Sequence, residues 1–408
     1  MSKKLYFFTN SYPYGFGELW KTNELSVLVN FFDKITVVPF SYAGNINAVP
    51  PIKGVEYHEP IFSNGILYPR TYLICLKLIF SKHLHLFLME AKKEKVFYSK
   101  GRLFKWLRAS YKMLKIAGNS SIKNIISTAD NNTIFYFYWG REMCEILPLL
   151  KVNCFKIVSR FHRYDLYRYA NGGYIPYQYF QIKMLDYACA CSEDGKRELV
   201  SYFPGFKNKI ITKRLGTISK GKSVMSEDSI LRIVSCSGLV KVKRVDIIAR
   251  ALQYLDINIE WVHIGDGPLM ADIKALVAQS KNPRINFKFL GHITGEKVIE
   301  YYSNHRTDLF INVSESEGVP VAVMEALAAG IPVMATDVGG ARELVDDKVG
   351  MLIPKDILPE VLAANIVSFY RLFDAEKKQL RQNAFNRYLE KCDANSLSKD
   401  FASFLLAD

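Results

Sequence analysis

The 408-residue sequence lacks several features that define common protein classes. No apolar run approaches the roughly 20 residues that a membrane-spanning helix needs, and the apolar run near the N-terminus is too short for a secretory signal. The seven cysteines are odd in number and scattered, without the paired spacing of a zinc site. These absences predict a cytoplasmic protein with reduced thiols, soluble or peripheral at the inner face of the cell membrane.

Acidic residues are scarce in the first half of the chain. The formal net charge is +14, and residues 1–200 hold 27 Lys and Arg against 15 Asp and Glu. Positive charge is densest over residues 77–115, where eleven basic residues and two acidic ones are interleaved with aromatic and aliphatic side chains. Two interpretations stay open: helices lying on an anionic membrane, and a solvated basic face over a packed helix. Nucleic acid is not predicted as a partner, because no base-reading motif accompanies the charge.

Short β-prone apolar runs alternate with helical stretches along the chain. A stretch rich in Ser, Gly and Lys interrupts this alternation and is predicted to be a linker. The pattern therefore predicts an α/β protein with two doubly wound, Rossmann-like parallel-sheet domains facing each other across a cleft. The predicted segments are a first domain, a linker, a second domain and a C-terminal helix, at residues 1–217, 218–230, 231–385 and 386–408.

One stretch of the second domain is predicted to read strand, loop, helix, turn and strand. The first strand is residues 308–313, Pro320 is expected in the first helical turn, and the helix is expected to stop at Gly330. Residues 333–336 resume the sheet. Because N–H groups at a helix start are unpaired and the helix dipole favours negative charge, the loop before this helix is a candidate anion site.

Two carboxylates belong to this loop and helix. Glu317 is in the loop, and Glu325 lies about one and a half turns into the helix. A carboxylate can accept two hydrogen bonds, which suits the vicinal hydroxyls of a sugar, and Gly318 lets a ligand approach the backbone closely. A bare pair of glutamates at this spacing is more typical of an amphipathic helix with two solvated side chains, so their interpretation depends on the surrounding sequence.

The whole stretch resembles the signature of the family 4 retaining glycosyltransferases of GT-B fold, in which two glutamates are separated by seven residues. Glu317 and Glu325 meet that pattern. The flanking residues that also match are Gly318, Pro320, Ala326, Gly330, Pro332, Val333, Gly339, Gly340 and Glu343. The resemblance implies that the first domain is on the acceptor side, that the second binds a nucleotide sugar, and that the C-terminal helix packs back on the first domain.

The same resemblance implies roles for the residues of this stretch. Glu317 is expected to position the hydroxyls of the donor sugar, and Glu325 to hold the ribose. Gly318, Val319 and Pro320 are expected to contact the donor.

In the first domain, the resemblance points to a glycine loop and a histidine. Gly15 and Gly17 follow the first predicted strand and are expected to face the donor phosphates. His162 begins a His-x-x-Asp stretch at the carboxyl end of a predicted strand and is expected to contact the donor sugar, with Asp165 a weaker candidate.

In the second domain, Lys243 matches the lysine that holds the donor diphosphate in the family. Gly238 stands where the family has an arginine, which leaves two alternatives open: Lys241 or Arg244 supplies that charge, or the donor is held more weakly. A leaving diphosphate needs positive charge where its own negative charge develops. Three further donor-binding candidates follow from turn motifs of the family: Gly265, Gly291 and His292.

The resemblance implies the transfer of a sugar, with retention, from a UDP- or GDP-linked donor to a hydroxyl of a glycan or lipid-linked oligosaccharide in polysaccharide or lipopolysaccharide assembly. The sequence has no Asp-x-Asp motif, so no metal and no cofactor are expected. Three alternatives stay open: a GT-B nucleotide-sugar 2-epimerase, a phosphorylase, and a catalytically silent glycan-assembly subunit.

Overall fold

A computed structural model describes residues 3–14, 19–42, 49–280 and 282–407. The chain divides into two compact units, one of Met1–Lys213 with Lys399–Asp408 and the other of Arg214–Ser398. The division falls at Arg214, so the predicted linker, residues 218–230, belongs to the second unit. Gly15 and Gly17 lie outside the described residues.

The first unit is built on a parallel sheet of seven strands in the order β3-β2-β1-β4-β5-β6-β7. The strands are β1 (Lys4–Thr9), β2 (Lys34–Pro39), β3 (Val55–Tyr57), β4 (Thr133–Phe137), β5 (Lys156–Phe161), β6 (Tyr187–Ala190) and β7 (Ile210–Thr212). Every residue of β4 and β5 is buried. Such continuous burial is typical of a parallel sheet covered on both faces.

Helices cover this sheet. They are α1 (Leu19–Leu28), α2 (Thr71–Ile79), α3 (Leu84–Lys93), α4 (Lys100–Gly118), α5 (Ser120–Ser127), α6 (Arg163–Leu166), α7 (Gln178–Met184) and α8 (Glu193–Tyr202). Short 3-10 helices lie at Val96–Tyr98, Glu142–Leu149, Tyr169–Asn171 and Pro204–Phe206.

The second unit holds a parallel sheet of six strands in the order β10-β9-β8-β11-β12-β13. The strands are β8 (Ile230–Cys236), β9 (Asn258–Ile264), β10 (Ile285–Phe289), β11 (Leu309–Asn312), β12 (Val333–Thr336) and β13 (Gly350–Ile353). Its helices are α9 (Val245–Leu252), α10 (Met270–Ala278), α11 (Gly295–Asn304), α12 (Val321–Ala328), α13 (Pro359–Tyr370) and α14 (Asp374–Lys391), with 3-10 turns at Lys241–Lys243 and Gly339–Glu343.

The last helix, α15 (Ala394–Leu406), begins in the second unit and ends in the first. The ring of Phe401 lies 4.9 Å from that of Tyr136 on β4, and the ring of Phe404 lies 5.0 Å from that of Tyr187 on β6. The end of α15 thus packs on the first sheet by its aromatic side chains.

One local prediction needs correction. Pro320 is the N-cap residue of α12 and not part of its first turn, because its extended ψ of 99° keeps it outside the helix. Gly330 does adopt the predicted left-handed conformation, with a φ of +66°.

Candidate functional site

Each sheet has a point where the strand order reverses, and ligands bind at such points in doubly wound folds. In the second unit this point lies between β8 and β11. The loop after β8 carries Lys243, and the loop after β11 carries Glu317. The topology therefore brings together two residues that are 74 positions apart in sequence.

An ion pair joins these two loops. The Lys243 Nζ donates a hydrogen bond of 2.6 Å to the Glu317 Oε1. The Glu317 side chain is only 9% exposed and that of Lys243 is 26% exposed, so water screens this pair less than a surface pair. The two loops are also joined by their backbones, because the Glu315 N–H donates to the Val242 carbonyl at 2.8 Å.

The predicted ribose-binding Glu325 is on α12 and is only partly exposed. Burial raises the pKa of Glu325 to about 8. Burial raises the pKa of Cys236 to about 12, and the nearby negative charge of Glu325 contributes to this increase. Tyr302 of α11 lies beside Cys236 and Glu325 and is fully buried. Sequence reasoning missed Tyr302, since a lone tyrosine on an amphipathic helix gives no functional signal.

Backbone contacts link the loops after β8, β9 and β10. The Gly265 N–H donates to the Gly291 carbonyl at 2.9 Å, and the Leu239 N–H donates to the Asp266 carbonyl at 2.9 Å. Gly265 has a φ of +137°, and a Cβ there would lie 2.0 Å from the Ser237 carbonyl oxygen. Glycine is therefore required at position 265 by this close approach. His292 follows Gly291 and is exposed.

Backbone contacts also link the loop after β11 to the loop after β12. The Gly340 N–H donates to the Gly318 carbonyl at 2.8 Å. Gly339 has a φ of +54°, and a Cβ there would lie 2.1 Å from the Glu317 carbonyl oxygen. The Thr336 hydroxyl donates to the Ser314 carbonyl at 2.6 Å and helps to hold the same loop. The Glu317 loop is thus fixed from β12, a role for Thr336 that the sequence did not reveal.

The structure separates the two candidates for the charge missing at Gly238. The Arg244 Nε donates to the Val313 carbonyl at 2.9 Å, so this guanidinium holds the end of β11. Lys241 is exposed and, in the part of the chain that the structure describes, forms no ion pair. A Cβ at Gly238 would meet its nearest heavy atom, the Asp266 carbonyl oxygen, at 3.8 Å, so position 238 has space for a side chain.

In the first unit, His162 lies just after the carboxyl end of β5. Its Nε2 is 2.9 Å from the Tyr138 carbonyl oxygen, and its Nδ1 is 3.5 Å from the Cys191 Sγ. Its ring centroid is 4.2 Å from that of Trp139. Burial, and then the charge of Arg160, lower the pKa of His162 to about 3. The imidazole is therefore neutral near pH 7, with Nε2 as the donor to the carbonyl.

Asp165, the weaker candidate, connects two loops at this edge of the first sheet. Its carboxylate accepts hydrogen bonds from the His162 N–H and the Gly140 N–H. The buried guanidinium of Arg160 pairs with Glu24 of α1 below these loops. Asp165 thus orders the loops after β4 and β5, and its contacts are those of a positioning residue.

The basic region, residues 77–115, combines a packed side with exposed apolar side chains. One face of its helices is packed: Phe87, Trp106 and Tyr111 belong to a buried cluster. Other large apolar side chains of the same helices are exposed, among them Phe80, Leu88, Met89, Phe97, Tyr98 and Phe104. The region is therefore neither a plain core helix nor a uniformly polar face.

No single helix among the described residues is long and apolar enough to cross a membrane, whereas α2 and α3, bent by 114°, pass that test as a pair by length and composition. The seven cysteines are free thiols. Within the described ranges, no group of three or more His, Cys, Asp or Glu side chains is placed to hold a metal ion.

The chain is similar to known proteins in sequence and in structure. The family model described as "Glycosyl transferases group 1" matches residues 222–387. The O-antigen biosynthesis glycosyltransferase WbnH of Escherichia coli is 33% identical over 90 residues, which are 22% of this chain and 24% of that protein. The putative colanic acid biosynthesis glycosyltransferase WcaL of Escherichia coli (strain K12) is 26% identical over 212 residues, 49% and 52% of the two chains. The chain thus spans from about a quarter to about half of these relatives.

Solved structures match over the full length. The lipopolysaccharide outer core galactosyltransferase WaaB has a TM-score of 0.66 and 14% identity, with 98% of this chain and 99% of that chain covered. Anabaena HepE in complex with UDP has a TM-score of 0.62 and 14% identity, with 99% of each chain covered. The predicted GT-B fold is thereby confirmed, and residues 222–387, within the second unit, carry the pattern of the glycosyl transferases group 1.

Proposed function

We propose that this protein is a retaining glycosyltransferase of family 4 that transfers a sugar from a nucleotide sugar to a hydroxyl of a glycan or lipid-linked acceptor. The observation that carries the proposal is the position of Lys243, Glu317 and Glu325 at the switch point of the second sheet. Support comes from the family model that matches residues 222–387 and from relatives named for O-antigen and colanic acid biosynthesis.

In this proposal, the donor diphosphate lies between the start of α12 and Lys243. The C–O bond between the anomeric carbon and the diphosphate breaks, and the diphosphate leaves with the electron pair. Lys243 stabilises the charge that develops on it. The acceptor oxygen bonds to the anomeric carbon on the same face, and its proton passes to the leaving phosphate oxygen.

Other residues hold the donor. Glu317 positions hydroxyls of the sugar and Glu325 accepts from the ribose, while Lys241 supplies the charge that Gly238 lacks. The glycines of the loops after β9 and β10, with His292, lie beside the base. His162, being neutral, acts as a hydrogen-bonding group toward the sugar and not as a cation.

Donor binding weakens the Lys243–Glu317 ion pair, because the diphosphate competes with the carboxylate for the N–H donors and the charge of one ammonium. The carboxylate that Lys243 releases is then available to sugar hydroxyls. The ion pair holds both side chains in place in the free protein, and the interaction of the diphosphate with Lys243 offsets the free energy of weakening that pair.

The test begins with nucleotides and then adds sugars. UDP is the first candidate because HepE was solved with UDP, and GDP is the second. We expect one of them to raise the melting temperature and the matching nucleotide sugar to be hydrolysed slowly. Lys243→Ala should lower hydrolysis by more than about tenfold, whereas Lys297→Ala, an exposed lysine of α11, should not.

The alternatives predict other products. An epimerase returns an intact nucleotide sugar with inverted configuration, a phosphorylase consumes sugar only with phosphate, and a silent subunit binds without hydrolysis. Equal hydrolysis by Lys243→Ala and the control would contradict the assignment of Lys243.

We further propose that the exposed apolar side chains of α2–α4, with the lysines around them, rest on an anionic membrane surface. The double variant Lys92→Glu and Lys100→Glu reverses two exposed charges of this region and should reduce sedimentation with phosphatidylglycerol vesicles. Lys151→Glu with Lys207→Glu reverses two exposed charges elsewhere in the first unit. An equal loss of vesicle binding in both double variants would show a nonspecific effect of charge and no special role for α2–α4.

A further inference from the structure

The first unit contains a cavity of about 420 Å³ that none of the predicted site residues explains. Its wall is formed by α4 on one side and by residues after β4 and β5 on the other. Its charged lining residues are Lys105, Arg108, Lys112 and Arg141, and its aromatic ones include Tyr68, Phe104, Tyr164 and Tyr174. A volume of this size accommodates a small organic ligand.

The cavity has an unbalanced positive charge. Lys112 contacts Glu142 and Glu145, each at 2.8 Å, and Arg141 contacts Glu145 at 2.8 Å. The charges of these two cations and two acids cancel. Lys105 and Arg108 form no ion pair in the described ranges of the chain, so two positive charges of the lining stay uncompensated.

The remaining contacts of the cations hold them in place without neutralising them. The Lys105 Nζ donates to the Asn171 carbonyl oxygen. The Arg108 guanidinium lies 4.1 Å from the centroid of the Tyr68 ring, and that of Arg141 lies 5.1 Å from the Tyr164 ring. Aromatic faces orient guanidinium groups and leave their N–H donors available to an anion.

The pKa of Lys105 agrees with an excess of positive charge in the cavity lining. Burial, and then the charges of Arg141 and Arg102, lower the pKa of Lys105. Lys105 is exposed at the cavity, and the part of this shift that comes from Arg141 and Arg102 is the part that a bound anion would counterbalance.

The cavity lies between residues that follow β4 and β5 and the helix α4, which contributes Phe104, Lys105 and Arg108. Arg141 and Tyr164 belong to the two loops that the Asp165 carboxylate holds together, and one of these loops carries His162. Phe104, on the opposite wall, is 53% exposed.

We propose that this cavity binds the diphosphate group of an amphiphilic acceptor through Lys105 and Arg108, while the apolar chain of the acceptor lies over the exposed ring of Phe104. The inference rests on the proposed function and specifies its acceptor. Two uncompensated cations match a group with two negative charges, whereas a single carboxylate would leave one of them unpaired. The other wall of the cavity contains Arg141 and Tyr164, which follow β4 and β5, so a group bound there lies near the carboxyl edge of the first sheet, where ligands bind in doubly wound folds.

The test uses the full chain and four probes: geranyl diphosphate, inorganic pyrophosphate, geraniol, and phosphatidylglycerol vesicles. We expect geranyl diphosphate to bind more tightly than pyrophosphate, and geraniol not to bind, in isothermal titration. The double variant Lys105→Gln and Arg108→Gln should weaken geranyl diphosphate binding by at least about tenfold, since it removes both charge-assisted contacts. The matched control is Lys115→Gln with Lys123→Gln, two exposed lysines of α4 and α5, which should bind as the wild type does.

Three results would overturn the proposal. Unchanged geranyl diphosphate binding in the double variant removes the cavity as the site. Equal binding of geraniol shows that no anion is recognised. A variant that loses binding to vesicles but not to geranyl diphosphate shows that the cavity holds a membrane headgroup and not an acceptor.

The test of this cavity and the test of the proposed function can fail independently of each other. Thermal stabilisation by the nucleotide reports on the second unit, and the double variant should keep it, which also shows that the chain is folded. If the wild type binds geranyl diphosphate but no nucleotide, the glycosyltransferase assignment fails while the anion site stands. Arg108→Lys, which keeps the charge but loses the planar contact with Tyr68, should fall between the wild type and the double variant.

Discussion

Replacing Glu317 with Gln should have opposite effects on nucleotide binding and on sugar transfer. In the free protein the Lys243 ammonium is bound to Glu317 at 2.6 Å, and the donor diphosphate must compete with that carboxylate. Glu317→Gln removes the negative charge and leaves Lys243 available. We therefore expect UDP, or the nucleotide that the screen identifies, to bind more tightly while transfer slows.

The magnitude follows from the burial of the pair. Exposed ion pairs contribute about 0–1 kcal/mol, and hydrogen bonds to charged groups about 1.5–3 kcal/mol. Because the Glu317 side chain is 9% exposed and the Lys243 side chain is 26% exposed, we take about 1 kcal/mol as the free energy by which Glu317 opposes nucleotide binding at Lys243. Since a tenfold change in affinity corresponds to about 1.4 kcal/mol, the nucleotide should bind about fivefold more tightly. Transfer should fall by at least about tenfold, because a group that positions the sugar is lost.

Titration calorimetry at low salt measures the affinity, and release of free sugar from the nucleotide sugar measures turnover. Glu315→Gln is the matched control, because it removes the same charge from an exposed position of the same loop. It should change the affinity much less. If Glu317→Gln binds the nucleotide more weakly than the wild type, or no differently from Glu315→Gln, the competition for Lys243 does not exist.

Three further predictions concern this site. Burial raises the pKa of Glu325 from 4.5 to about 8. Between these two pH values the folded state holds a proton that the unfolded state releases, so the free energy of unfolding should fall as the pH rises. In urea titrations Glu325→Gln should flatten this pH dependence, and an unchanged slope would refute the prediction. Gly238→Arg should tighten nucleotide binding where Gly238→Gln does not, since an added Cβ meets nothing closer than 3.8 Å. Gly339→Ala should lower the melting temperature and nucleotide affinity, because its Cβ would lie 2.1 Å from the Glu317 carbonyl oxygen, whereas Gly118→Ala, with no atom within 4 Å of the added Cβ, should not.

Local signals in the sequence predicted the fold well. The strand at residues 333–336 has the predicted bounds, because its apolar run is short and lies between turn residues. The helix stop at Gly330 depends on backbone conformation that a single residue type favours. Pro320 was misplaced by one position, since proline suits both the N-cap and the first turn, and only the observed ψ separates them.

Contacts between distant segments were not predictable in this way. Glu317 and Lys243 were each singled out, but their ion pair depends on the adjacency of β8 and β11 in the sheet. The nearness of Tyr302 to Glu325 likewise requires the packing of α11 and α12 on one sheet. The cationic cavity joins α4 to Arg141, and charge counted along the sequence does not show which basic residues already have acidic partners.

The close packing of glycines in the second unit limits how this site can diversify. Where an added Cβ would overlap a carbonyl oxygen, as at Gly265 and Gly339, no side chain can be introduced to favour one sugar or base over another. In the proposed function, main-chain groups, which are chemically alike in every sequence, then form part of the donor-facing surface. Positions 238, 241 and 292, where a side chain is exposed or has space, are where redesign of donor preference should begin.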